Sequence, residues 1–80
     1  MVFSSSENEL IHSLNYEKFI AAKELSEKLF VSNKTVYRRV KKINDISEKE
    51  FGESFIIAET GKGYRLNKRM MNISNNPIID

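Results

Sequence analysis

SNKTVYRRVKKIN, residues 32–44, holds five basic side chains (Lys34, Arg38, Arg39, Lys41, Lys42) and no acidic one. Running through it is an apolar line, Val36, Val40 and Ile43, at spacings of four and three. That spacing is one face of a helix. With Val36 at 0° and about 100° per residue, Lys34, Arg38 and Lys41 fall between about 140° and 200°, opposite the apolar line. Thr35, Tyr37 and Lys42 flank this outer arc, and Arg39 lies nearer the core edge. The segment is therefore a helix buried on one side and cationic on the other. Taken alone, such a face is ordinarily a solvated surface, so its meaning depends on its neighbours.

Charge is strongly segmented. Residues 1–31 carry net −2, residues 32–44 carry +5, residues 45–60 carry −4 and residues 61–80 carry +3, which together give the net +2 of the 80-residue chain. Two basic islands in an otherwise acidic chain point to a localised anionic partner, not to a general polycation. Eighty residues form one small domain with little room for a deep cleft. The absence of cysteine excludes disulfides and thiolate metal sites and fits a reducing interior. The opening MVFSSSENEL lacks a signal-peptide pattern, and no apolar run approaches membrane-spanning length. A soluble, cytoplasmic chain with no membrane association is expected.

Upstream, Ser4, Ser5 and Ser6 offer alternative helix caps, and Ser6 with Glu9 matches the capping-box pattern. Leu10, Ile11 and Leu14 form an apolar stripe, predicting a first helix from about Glu7 to Asn15. His12 falls on its far side with no second ligand type nearby, so no metal or acid–base site is expected. Phe19 and Ile20 suggest a brief extended segment able to pair with a later strand edge. Ala22, Leu25, Ser26 and Leu29 recur at helical spacing and predict a second helix over about 22–29, with Glu24 and Lys28 placed for an i,i+4 pair. Two turns of helix need tertiary support. Ser32 can cap the third helix, and two helices joined by so short a turn form a helix-turn-helix.

Downstream, Ser47 and Phe51 stay on the core side of the same wheel, so the third helix should run to about Glu50, with Gly52 suited to the position after its end. Asp45 and Lys49 are ordered for another i,i+4 pair. FIIAE, residues 55–59, is strand-like, Thr60–Gly63 is turn chemistry, and Tyr64 to Asn67 reads as the returning strand. In this hairpin Tyr64 and Leu66 share the inner face and Arg65 points outward. Whether Phe55 and Ile57 or Ile56 and Ala58 face inward is left open by the sequence. Residues 68–80 lose all periodicity and read as a mobile tail or linker, which places the folded domain at residues 4–67.

The predicted fold is α+β, a winged helix-turn-helix of three helices plus a C-terminal β-hairpin wing. LSEKLFVSNKTVYRRVKKIN resembles the helix-turn-helix of bacterial transcription regulators that begin with such a domain, including the phosphotransferase-linked sugar-operon activators and the biotin-repressor-like group. GKGYRL resembles their wing. The likeness spans about Phe19 to Asn67. It implies that Ser32 to Lys42 contain the positions presented to the major groove and that Lys62 lies at the wing tip, against backbone or minor groove. Two residues depart from the pattern. Phe30 stands where Gly or Asn is common, and a left-handed backbone is costly for it. Ala21 stands where Ser or Thr would cap the second helix, forfeiting typically about 1 kcal/mol.

The resulting interface comprises Ser32, Asn33, Lys34, Thr35, Tyr37, Arg38, Lys41, Lys42, Lys62 and Arg65. Ser32, Asn33 and Thr35 lie at a helix N-terminus, where free N–H groups favour phosphate. Arg38 carries the fork that matches the two acceptors of guanine. Lys34, Lys41 and Lys42 suit phosphates as point charges. Tyr37 is expected to pack at the core edge against the wing, with a thymine methyl as the alternative, and Arg39 to pair with a second-helix carboxylate or a phosphate. Lys62 and Arg65 can hold backbone beside the groove. The favoured partner is double-stranded DNA. A protein-interaction winged helix meeting an acidic partner and an RNA-binding regulator are the competing readings, though the interleaved aromatic platform expected for single strands is missing. GKG is not a phosphate-binding P-loop, because a strand follows it instead of a helix. No catalytic constellation and no cofactor motif is present. A homodimer and further domains of a larger regulator are left open.

Overall fold

The computed structural model describes residues 3–71. Three helices come first, α1 (Ser5–His12), α2 (Ala22–Leu29) and α3 (Asn33–Phe51). An antiparallel hairpin follows, β1 (Ile56–Glu59) and β2 (Gly63–Leu66), and then a 3-10 turn over Lys68–Met70. This is the winged helix-turn-helix order expected from the sequence.

The start of α1 corrects the capping prediction. Ser4, not Ser6, is the N-cap: its Oγ accepts from Glu7 N–H at 3.3 Å, and Glu7 Oε1 accepts from Ser4 N–H at 2.8 Å. Both serines are followed three residues on by glutamate, so tertiary contact decides between them. Entry at Ser4 leaves Phe3 edge-on to Phe55, with ring centroids 5.5 Å apart, and buries Glu7. The helix stops at His12, short of Asn15. Asn15 Oδ1 accepts from the amides of Glu17 and Lys18, a local turn that competes with helix continuation. Leu10, Ile11 and Leu14 are nevertheless buried as their spacing required.

Helix α2 has the predicted limits, and Ala21 makes no side-chain cap bond. Its end depends on Phe30, which adopts the left-handed conformation at φ 58°, ψ 44°. The amides of Phe30 and Val31 both donate to Ser26 O there, closing the helix as a Gly would. Ser32 then caps α3 by accepting from Thr35 N–H. Gly52, at φ 84°, ends that helix one residue beyond the expected limit.

Val36, Val40 and Ile43 of α3 pack with Leu10, Leu14 and Leu25. In the hairpin Ile56 pairs with Leu66 and both are buried, so the inward strand residue of β1 is Ile56, with Phe55 joining the core just before the strand begins. Ile20 joins the edge of β2 through a single antiparallel bridge to Tyr64, as the apolar pair at 19–20 suggested. The packed unit continues past Asn67, the last residue before the tail expected from Lys68. Asn67 Oδ1 accepts from Arg69 N–H, which turns the chain inward, and Met70 is buried. The remainder of that expected tail, residues 72–80, lies outside the described residues. No helix among the described residues is long and apolar enough to cross a membrane.

Candidate nucleic-acid interface

Helix α3 presents its cationic side because the opposite side is committed to the core. Val36 and Ile43 are fully buried, while Lys34, Arg38, Lys41 and Lys42 are exposed, as are Ser32 and Asn33 at the N-terminal end. Thr35 is half-buried and supplies the amide and hydroxyl that Ser32 engages, with a 3.0 Å bond between the two hydroxyls. Ser32 Oγ is thus occupied as a cap, and a ligand at this end would meet free backbone N–H groups.

The cations divide into two sets that sequence spacing does not separate. Among the described residues, Lys34, Arg38 and Lys41 have no carboxylate within ion-pair distance. Lys42 Nζ stands 3.9 Å from Glu7 Oε2, and Lys62 Nζ stands 3.3 Å from Glu59 Oε1. The Lys62–Glu59 pair is exposed on both sides and worth about 0–1 kcal/mol, whereas in the Lys42–Glu7 pair only the lysine is exposed; each pairing competes with a phosphate contact without forbidding it. Arg39 is half-buried and has no α2 carboxylate within ion-pair distance, which removes the first of the two partners expected for it and leaves the phosphate open.

Tyr37 also departs from expectation. It is 60% exposed and does not pack at the core edge. Burial raises the Tyr64 phenol above its ordinary 10.0, and the Tyr37 phenol adds in the same direction.

Two devices fix the wing relative to α3. Asn44, on the helix, exchanges two hydrogen bonds with the backbone of Ile56. Gly63, at φ 115°, lets β2 press against the chain before α2, since a Cβ there would run into the Ile20 carbonyl and stand 2.8 Å from Ala21 Cα. Lys62 is exposed at the hairpin tip. Arg65 is half-buried, not simply outward: its Cζ lies 5.1 Å from the centre of the Phe19 ring, and its Nη1 donates to Leu66 O at 3.0 Å. Lys62 Nζ lies 5.7 Å from the same ring. Sequence reasoning missed Phe19 and Asn44. The available signal for Phe19 was its place beside a residue expected to pair with a basic strand.

A family model described as an HTH domain matches residues 7–65, from Glu7 within α1 to Arg65 within β2. No curated protein and no solved structure matches the chain.

Proposed function

This chain belongs to the family of HTH domains and is a DNA-binding helix-turn-helix module, and we propose that it acts on duplex DNA as a sequence-specific transcription regulator, or as the N-terminal domain of one, in a bacterial cytoplasm. Helix α3 enters the major groove, and the hairpin wing lies on the adjacent backbone or minor groove. The observation that carries this reading is the cationic triad of Lys34, Arg38 and Lys41, without a carboxylate partner among the described residues, on the solvent side of a helix whose other side is core. Unpaired cations release condensed counterions from DNA without first losing a protein partner.

Roles follow from chemistry. Arg38, central on the exposed arc, reads a guanine edge through two hydrogen bonds. Lys34 and Lys41 anchor phosphates, and the free amides at Asn33 and Lys34 face another phosphate at the helix N-terminus. Tyr37, left exposed by the fold, offers its ring to a thymine methyl. Lys42, Lys62 and Arg65 supply backbone contacts at the margins. The folded domain comprises residues 4–67 together with the packed 3-10 turn that follows.

Titration of the chain with duplex DNA across a salt series tests the proposal. Log affinity should fall linearly with log salt, with a slope of about −0.9 for each phosphate neutralised. Affinity indifferent to salt, or no binding at low salt, would refute it. Selection of bound sites from random DNA should return a defined sequence, and paired half-sites in the selected pool would establish a dimer.

A further inference from the structure

The segment Phe19–Ile20 lies outside the helix-turn-helix proper, yet it is joined to the wing. Ile20 N–H donates to Tyr64 O at 2.8 Å, and Tyr64 N–H donates to Ile20 O at 2.9 Å. Gly63 permits this approach by having no Cβ. The bridge places the half-buried Phe19 ring beneath two cations from different parts of the hairpin, Lys62 at the tip and Arg65 on β2.

We propose that Phe19 is a positioning residue of the wing, its ring holding the Arg65 guanidinium and the Lys62 ammonium in place for nucleic-acid phosphates. Both heads lie within about 6 Å of the ring centre, the range in which the ring quadrupole attracts a cation. Long basic side chains also lose rotamer freedom when they bind, and a side chain already held against a ring has less to lose. The Arg65 bond to Leu66 O fixes the same guanidinium from its other side. The ring thus restrains two cationic side chains of the wing before a phosphate arrives. Lys62 also pairs with Glu59 at 3.3 Å, an exposed contact that a phosphate has to displace, whereas Arg65 has no carboxylate within ion-pair distance among the described residues. This inference rests on the reading that the wing meets duplex DNA, and the test below separates the two.

Affinity for a labelled random-sequence duplex is measured at low salt for the whole chain and its variants. Phe19→Leu, which keeps apolar bulk and removes the quadrupole, should weaken binding about three- to tenfold, and Phe19→Tyr should restore it. In a Lys62→Ala/Arg65→Ala background, Phe19→Leu should have no further effect, whereas an equal further loss would show that the ring acts by another route and overturn the proposal. If Arg65→Ala and Lys62→Ala weaken binding while Phe19→Leu does not, the positioning role alone falls. If neither cation matters, the wing reading falls and the proposal with it. Proton NMR of the free wild-type chain gives a readout independent of DNA and of variant folding. The Arg65 side-chain protons should be displaced upfield by the ring current, and ordinary arginine shifts would overturn the proposal.

Discussion

Asn44 of α3 grips the backbone of Ile56 from both sides: its Nδ2 donates to Ile56 O at 3.0 Å, and Ile56 N–H donates to its Oδ1 at 2.8 Å. One amide side chain thereby continues the edge of β1 onto the helix and fixes the wing against α3. Asn44→Leu leaves one partly buried donor and one acceptor without a partner, which costs about 2–4 kcal/mol. Asn44→Asp keeps the acceptor but loses the donor, and should cost less. Urea unfolding of the two variants measures the difference.

Gly63 and Gly61 make a paired prediction. Both have positive φ, but a Cβ at Gly61 meets nothing within 4 Å while one at Gly63 collides with the Ile20 backbone. Gly61→Ala should therefore cost only the backbone term, about 1–2 kcal/mol. Gly63→Ala adds a collision that no side-chain rotation relieves, for about 2–4 kcal/mol in all. It should also abolish hydrogen-exchange protection at the Ile20 and Tyr64 amides, whereas Gly61→Ala leaves that protection in place.

Phe30 is 93% exposed and sits at φ 58°. Its ring buries almost nothing, and its backbone carries about 1–2 kcal/mol of left-handed strain. Phe30→Asn or Phe30→Gly should therefore stabilise the fold, by about 0.5–1 kcal/mol once the greater freedom of the unfolded chain is allowed for. For a domain of this size that raises the melting temperature by about 2–8 °C. A lower melting temperature for both variants would mean that the exposed ring stabilises the turn.

The limits of α2 were legible because its apolar spacing, its charged far side and the Ser32 cap all agree. The register of the hairpin was not, since Phe55, Ile56 and Ile57 form an unbroken apolar run with no alternation to select a face. The Asn44 bonds and the Ile56–Leu66 pair settle it by contacts remote in sequence. Likewise, wheel geometry put Lys34, Arg38 and Lys41 on the exposed arc, but the pairing of Lys42 with Glu7 follows only once α1 is packed beside α3. Phe19 was illegible as part of the wing for the same reason. Its two cations reach it through a bridge between segments that no local pattern connects.

Tyr64 links stability to alkaline pH. Burial holds its phenol above the ordinary 10.0, with the Tyr37 phenol contributing in the same sense. With the folded pKa above the unfolded one, the folded state retains the proton longer. The associated stability is complete below pH 10 and is lost as pH rises from 10 through the folded value. Tyr64→Phe cannot ionise there and should show a flatter loss of stability above pH 10. Thermal melts at pH 8 and above pH 10 compare the slopes, and equal slopes would remove Tyr64 from the account.

The ion-pair pattern on α3 predicts unequal roles for lysines one residue apart. Lys41 has no carboxylate partner among the described residues, whereas Lys42 lies 3.9 Å from a Glu7 carboxylate whose side chain is 6% exposed. Lys41→Ala should weaken binding to all DNA sequences alike and reduce the salt slope by about 1. Lys42→Ala should weaken it less, because a phosphate there has to compete with Glu7. Glu7→Gln then supplies the control. Removing the carboxylate's charge releases Lys42, so affinity should rise, and the rise should vanish when Lys42→Ala is combined with it. Arg38→Ala differs in kind, relaxing preference at one base position by about 1–3 kcal/mol of discrimination. If Arg38→Ala instead weakened every sequence equally, as Lys41→Ala does, the guanidinium would be a phosphate contact and base reading would pass to its neighbours on the same exposed arc, Tyr37 and Lys34.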